Sequence, residues 1–283
     1  MAAIPPDADR RGYLLEDFRL FHLKESRARR FDYHYHEFDK AVVFLSGEVT
    51  YTVEGRAYSL LPGDILLVPH HHIHQPDIGG ATYERCILWL RPEFLARYGL
   101  DPCFRQADST GFHLVRPGEG AKAAELLEEM EAAGREGLFA SALLERTCCI
   151  RFLIALNRWA LDNRAAGDDR AYTSDGKIQQ VMAYINDHLS QPLTVEHLAG
   201  VCYLSPSRLM HRFKAAAGCS VHQYVMQKRL IAACGLIRSG TGVMKAARQA
   251  GFGDYSAFLR AFRCVYHTSP KAFLEGESRE EKG

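Results

Sequence analysis

Four side chains in the first third of the chain, His34, His36, Lys40 and His74, have the types and spacing to hold a small polar ligand. His34 and His36 are two residues apart, so on a strand they share a face, and an imidazole from His74 on a neighbouring strand completes a three-nitrogen set. Such a set can bind a divalent metal with open positions left for exchange, which makes His34, His36 and His74 the candidate ligands of one. Lys40 weighs against that use, because an ammonium projecting into the same face repels a divalent ion. The expectation is therefore no metal. The four residues serve instead as donors to a polar ligand, for which sugars and related polyhydroxyl or carboxylate compounds are suited, or as polar groups satisfied at a barrel mouth. The run His70-His71-His72 is a second cluster, but adjacent loop residues are expected to point apart.

The last third offers a different chemistry. Thr194 can cap a short helix, Ser205-Pro206 supplies an N-cap and a first-turn proline for a helix through Ala217, and Gly218 ends it. The pattern recurs from Gly242, breaks at Gly251-Phe252-Gly253, and restarts at Asp254 as the N-cap of a helix through Arg263. Each copy fits a helix-turn-helix, whose second helix can present its N-terminal side chains to base edges in the major groove of DNA. The expected base-reading positions are Ser207, Arg208 and His211, with Met210 able to touch a thymine methyl, and in the second copy Tyr255, Ser256, Leu259 and Arg260. Leu209, Phe213, Phe258 and Phe262 fall on the opposite, core-facing side. An amphipathic segment from Ser220 to Arg238 joins the copies and is long enough to fix their spacing.

Charge agrees with this division. Residues 175 to 275 carry 12 Lys and Arg against 5 Asp and Glu, whereas residues 1 to 174 carry 21 against 26, so a formal net charge of +1 hides a basic half. A basic face neutralises phosphates and releases counterions, which supplies affinity for DNA that does not depend on sequence. A length of 283 residues suits two domains. No apolar run approaches the roughly 20 residues that cross a bilayer, and Met1 to Arg11 lacks a signal-peptide core, so a soluble protein is expected. The eight cysteines form no Cys-x-x-Cys pair, which favours reduced, mostly buried thiols over disulfides or zinc.

The elements that must position these residues follow from periodicity. From Arg19 to Leu90 the chain reads as strands, clearest at Ala41 to Leu45, Val49 to Val53 and Ile65 to Val68, with turns at Ser46-Gly47, Glu54-Gly55 and Pro62-Gly63-Asp64. Short strands and tight turns suggest a small barrel or jelly roll. After Trp89 the period becomes helical, at Pro92 to Tyr98, Gly120 to Gly134 and Ala140 to Leu161. The last of these carries enough apolar surface for core packing or a dimer interface. A further helix, Gly176 to Ser190, opens the C-terminal half. The fold class is α+β: an N-terminal β-barrel with accessory helices, then an all-α domain with two helix-turn-helix motifs. The domains are 1–163, a linker over 164–174, 175–275, and a disordered tail over 276–283.

Ser205-Pro-Ser-Arg-Leu-Met-His-Arg-Phe-Lys214 with Gly218, Arg229-Leu230, Gly251-Phe252, Phe258-Leu-Arg-Ala-Phe-Arg263 and Thr268-Ser-Pro270 resembles the C-terminal signature of the AraC/XylS transcription regulators, over roughly the last hundred residues. His267 departs from it, standing where that family usually has Gly. The order His34-x-His36, Gly47, Gly55, Pro62-Gly63-Asp64, Pro69, His74 resembles the two motifs of the cupin barrel, the usual sensor domain of that family. Lys40 occupies the position at which metal-binding cupins carry a Glu ligand. The resemblance implies a transcription regulator and activator in the bacterial cytoplasm, associated with the nucleoid. Its expected partners are double-stranded DNA, a small-molecule effector, RNA polymerase and a second copy of itself, with no membrane and no enzymatic activity. An arm from Arg10 to Leu15 folding over the barrel mouth is also implied. The alternatives are a ligand-independent dimeric DNA binder and a cupin metalloenzyme fused to a DNA-binding domain.

Overall fold

Two long strands, β3 (Asp39–Val53) and β6 (His74–Leu90), run antiparallel along their whole length, from Asp39 beside Leu90 to Val53 beside His74, and organise the N-terminal half. The computed structural model describes residues 14, 16–25, 29–31, 33–118, 122–162, 172–266 and 268–273. Most of the expected linker, the arm except Leu14, His267 and the whole expected tail lie outside the described residues. The chain divides into two units, Met1–Thr173 and Ser174–Gly283.

In the first unit, β1 (Phe18–Glu25) pairs with the second half of β6, and β2 (Arg29–Arg30) pairs with its first half. On the other side of β3, β4 (Arg56–Ser59) pairs with its end and β5 (Ile65–Val68) with its beginning, and β7 (Leu114–Val115) continues from β5. The strand expectation is corrected in one place. Ser46-Gly47 is no turn between two strands; it lies in a pair of register shifts, between Phe44 and Ser46 and between Gly47 and Val49, that bend one 15-residue strand. Gly47 has φ +111°, and a Cβ there would lie 2.0 Å from the Thr82 carbonyl oxygen, so only glycine lets the two strands pass this closely. The turn at Glu54-Gly55 is as expected, with positive φ at both residues, as a tight two-residue hairpin requires. The cupin-like sheet is antiparallel, but its pairings among the described residues form an open, branched path rather than a closed barrel.

Alternation on the strands separates two cores. Val42 and Phe44 of β3 and Ile87 and Trp89 of β6 face inward with Phe21, Tyr51, Tyr58 and Tyr83. Ala41, Val43, Cys86 and Leu88 face outward, where helices cover them. Those helices are α1 (Pro92–Tyr98), α2 (Pro102–Thr110), α3 (Ala123–Arg135) and α4 (Ser141–Asp162). Sequence periodicity misses α2, whose apolar stripe is only Cys103, Phe104 and Ala107. Pro102 in its first turn and Gly111 in the left-handed conformation at its end were the available signals. A two-residue strand, β8 (Thr173–Ser174), lies at the division between the units.

The second unit contains α5 (Gly176–Asp187), α6 (Val195–Val201), α7 (Pro206–Ala217), α8 (Val221–Arg238), α9 (Val243–Gln249) and α10 (Tyr255–Tyr266). Their ends follow the expected signals. The Thr194 and Ser205 hydroxyls accept from the His197 and Arg208 N–H groups, and Ser220 and Gln223 form a reciprocal capping box. Asp254 accepts from the Ser256 and Ala257 N–H groups. Leu230, Ala233, Cys234 and Ile237 of α8 bury against Ala246 and Ala247 of α9 and Phe258 and Phe262 of α10. Seven of the eight cysteines are buried and all eight are unbridged; Cys264 is exposed.

Candidate functional site

Within the inward core of the first unit lies a polar pocket lined by Phe31, His34, Lys40, Tyr51, Pro76, Tyr83, Arg85 and Ile87. Lys40 reaches it because it alternates with Val42 and Phe44 on β3; Tyr83 and Arg85 reach it because they alternate with Ile87 and Trp89 on β6. Its open space is about 20 Å³, room for about one water-sized group, so a sugar-sized molecule enters only as side chains move.

The structure brings the expected residues together. His34 and His74 form an antiparallel bridge, with the His34 N–H donating to the His74 carbonyl at 3.2 Å and the reverse bond at 2.9 Å. Ligand nitrogens of His34, His36 and His74 all lie within 4.8 Å of one another. His74 Nδ1 is 2.9 Å from the His72 carbonyl, which can only accept, so Nδ1 carries the proton and Nε2 offers a lone pair. Lys40 Nζ stands 3.4 Å from that Nε2 and donates to it. His36 stacks on Phe38 at 4.5 Å, and neither of its ring nitrogens has a hydrogen-bond partner. Burial, then the Lys40 charge and His34, holds the His36 pKa well below the usual histidine value. Burial, then His34, Lys40 and His36, does the same for His74. Three imidazoles at this spacing suit a metal, but the ammonium already takes the His74 lone pair that an ion would need and repels a divalent charge. As arranged, the set fits a polar or anionic ligand better than a metal.

The run of three histidines points apart, each toward its own carboxylate. His70 Nδ1 meets Asp39 at 2.9 Å, His71 Nε2 meets Glu37 at 2.8 Å, and His72 Nε2 meets Asp108 at 2.8 Å. Burial works to lower the His70 pKa, but the bond and charge of Asp39 outweigh it and raise the value. From His72 a buried chain continues through His113 at 3.0 Å to the Tyr58 hydroxyl at 3.1 Å. Burial pushes the Tyr58 hydroxyl up to about 12, so it stays protonated and donates.

Sequence reasoning missed Tyr83 and Arg85. Arg85 donates to Glu25 through Nη2 at 2.8 Å and lies over the Tyr83 ring at 4.1 Å. The signal was the alternation Tyr83, Arg85, Ile87, Trp89, which puts an arginine on an otherwise apolar face. It was hidden because β6 was not recognised as one strand.

In the second unit, Ser207, Arg208, Met210 and His211 are exposed on the N-terminal part of α7, while Leu209 and Phe213 are buried, as expected. On α10, Ser256 and Arg260 are exposed. Tyr255 and Leu259 are a correction: both are half-buried and pack against the core of α8, α9 and α10, with Tyr255 stacked on Phe258 at 5.9 Å. The apolar stripe of α10 is wider than its four-residue spacing of phenylalanines suggests. Arg212 is committed within the domain, making two bonds of 2.6 and 2.7 Å to Asp175, which itself caps α5. Tyr203, in the turn between α6 and α7, has a φ of +54° and is 89% exposed, a position beside the recognition helix that no sequence signal marked.

Comparison with known proteins supports both halves. Residues 21–147 match the model of an AraC-like ligand binding domain, and residues 198–276 match a helix-turn-helix domain. The chain is 28% identical over 254 residues to the HTH-type transcriptional activator RhaS of Salmonella paratyphi B, covering 87% of this chain and 88% of that one, and equally similar to RhaS of Salmonella typhimurium. Among solved structures, the DNA-binding domain of AdpA in complex with a target DNA is 28% identical, with 38% of this chain and 98% of that chain covered and a TM-score of 0.36. ToxT from Vibrio cholerae is 13% identical, with 91% and 97% covered and a TM-score of 0.39.

Proposed function

The chain belongs to the AraC family of transcription regulators, binding DNA through its helix-turn-helix domain and carrying an N-terminal ligand-binding domain, and on that premise we propose how the two halves work together. A small polar molecule, a sugar or related metabolite, enters the pocket around Lys40, His34, His36 and His74 and changes the affinity of α7 and α10 for double-stranded DNA. The observation that carries this reading is the burial of Lys40, His36, His74 and Arg85 inside a sheet whose other inward residues are apolar or aromatic. Polar groups cost free energy there unless they find partners, and a ligand that uses them is the reason to keep them. For coupling, the ligand must favour one of two arrangements of the protein; a factor of 5 to 150 in DNA affinity corresponds to about 1–3 kcal/mol.

The active form is a homodimer. Leu143, Ile154 and Leu161 are exposed on α4, and at 100° per residue they fall within about 20° of one line along the helix, a stripe that a second copy can cover. Like the activators it resembles, the protein raises transcription by working with RNA polymerase in the bacterial cytoplasm, and it catalyses no reaction. No helix among the described residues is long and apolar enough to cross a membrane.

The test is effector-dependent DNA binding. A thermal-shift screen of sugars, organic acids and divalent metals finds the binder, and that compound is then titrated into an operator-binding assay. His36→Ala and His74→Ala are expected to abolish the response while leaving ligand-free DNA binding intact. Normal responses in both variants, or no binder in the screen, would leave the first unit as a dimerisation module only.

A further inference from the structure

We propose that Tyr203 is a DNA contact: its ring lies against the sugar-phosphate backbone at the edge of the major groove that α7 enters, and its hydroxyl donates to a phosphate oxygen. This rests on reading α7 as the first recognition helix and adds a backbone contact to the base readers assigned on it.

The two helix-turn-helix copies build the same turn. After α6, the Tyr203 N–H donates to the Gly200 carbonyl at 3.2 Å and the Leu204 N–H to the Ala199 carbonyl at 2.9 Å. After α9, the Gly251 N–H donates to the Arg248 carbonyl at 3.0 Å and the Phe252 N–H to the Ala247 carbonyl at 3.0 Å. The left-handed position is therefore Tyr203 in one copy, with φ +54°, and Gly251 in the other, with φ +96°. Glycine reaches such a φ without strain, whereas the Cβ of a tyrosine crowds the backbone there. The first copy thus holds its turn at a cost that glycine or asparagine would avoid.

No contact among the described residues offsets that cost. Tyr203 is 89% exposed, and among the described residues its side chain makes no hydrogen bond or ring contact. The other long side chains at positive φ, those of Glu54 and His71, each have a partner inside the protein. Glu54 accepts from the Ile73 N–H at 2.8 Å, and His71 meets Glu37 at 2.8 Å. An exposed aromatic held in a strained conformation points to a partner outside the chain.

The position of Tyr203 says which partner. It stands two residues before Ser205, the N-cap of α7, so their Cα atoms lie within about 8 Å of each other. Ser207 and Arg208, the expected base readers, are exposed in the first turn of the same helix. A helix-turn-helix places the start of its second helix against the bases and lays its first helix across the backbone, so the turn between them passes the rim of the groove, where the phosphates lie. Tyrosine hydroxyls are regular donors to phosphate oxygens, and such a contact fixes the register of the protein on the duplex without reading sequence.

The experiment measures binding of the full-length protein, at several salt concentrations, to a duplex that it has selected from a random-sequence library and to a duplex of random sequence. Tyr203→Phe, which keeps the ring and loses the donor, should weaken binding several-fold, and Tyr203→Gly about tenfold, on both duplexes alike. The salt dependence should not change, because no charge that releases counterions is lost. The thermal midpoint of Tyr203→Gly should hold or rise as the strain goes, which separates lost contact from a damaged fold. Arg208→Ala is the control for the reading beneath, and should weaken binding to the selected duplex more than to the random one. Full binding by both Tyr203 variants, with Arg208→Ala weakened, would overturn the contact and leave α7 as the recognition helix. Full binding by all three variants would remove both. A loss confined to the selected duplex would make Tyr203 a base reader, and a lower midpoint for Tyr203→Gly would make it a residue of the fold; either overturns the backbone assignment. Unchanged DNA binding with reduced transcription by added RNA polymerase would overturn it in favour of a protein partner.

Discussion

Arg208 and Arg212 lie one helical turn apart on α7, and their surroundings give them different roles. Arg212 is held by Asp175, whose carboxyl pKa burial would raise but the arginine and the α5 N–H groups lower, so its loss would damage the fold. Arg208 is exposed in the first turn of α7, and Arg260 is exposed at the sixth position of α10. Arg208→Ala and Arg260→Ala are each expected to lose about 1–3 kcal/mol on the cognate operator and less on random DNA. Parallel titrations on the two DNAs check this, and equal losses would make these arginines phosphate contacts. Residue-scale electrostatics also set a pH dependence. The folded pKa values of His36 and His74 lie below the ordinary 6.5, so the unfolded chain binds protons that the native state does not. Their contribution is full above about pH 6.5 and falls as pH drops toward the folded values, by up to about 1.4 kcal/mol per pH unit for each. The raised pKa of His70 acts oppositely, adding stability below pH 6.5 that is lost as pH rises through its folded value. With two groups against one, the thermal midpoint should fall between pH 6.5 and 5; a flat or rising profile would contradict the assigned shifts.

At the scale of elements, three segments meet at one backbone oxygen. The Leu189 carbonyl, just beyond α5, accepts from Arg229 Nε of α8 at 2.9 Å, and Arg229 also donates to the Gln191 carbonyl at 2.6 Å. Gly251, in the turn of the second helix-turn-helix, has φ +96°, and a Cβ there would lie 1.9 Å from the Leu189 oxygen and 2.8 Å from Arg229 Nε. The junction therefore ties the segment between α5 and α6, the connecting helix and the second motif together through a contact that admits no side chain. Gly251→Ala should cost about 2–4 kcal/mol, from the positive φ and the displaced junction combined. Denaturant unfolding of the fragment from Ser174 onward measures it. A loss below about 0.5 kcal/mol would mean that the junction is soft.

The whole molecule divides its chemistry between two units, an acidic one with a buried basic pocket and a basic one with exposed helix starts. In the second unit, α8 spans 18 residues, or about 27 Å, between the two motifs. If it holds α7 and α10 on one side of the duplex, they enter successive major-groove segments about 34 Å apart, and one monomer protects a non-palindromic site. Footprinting the fragment from Ser174 onward should show two protected segments one helical turn apart. Protection of a single segment would mean that only one motif reads DNA.

The sequence by itself determined most of the second unit, because caps, turns and helical periods are local. Thr194, Ser205, Ser220 and Asp254 announce their helices within four residues, and the exposed positions of α7 follow from its period. Local signals failed where the decisive contact was distant. Gly47 reads as a turn residue until the Thr82 backbone is beside it, when it becomes a bulge inside one long strand. Tyr255 and Leu259 read as solvent-facing until α8 and α9 pack against them. His34, His36, Lys40 and His74 were legible as a group because alternation and motif order place them on neighbouring strands. That Lys40 occupies the lone pair of His74, and that Arg85 and Tyr83, further along the strand that His74 begins, face the same pocket, was decided only by the tertiary structure, since strand pairing sets those distances.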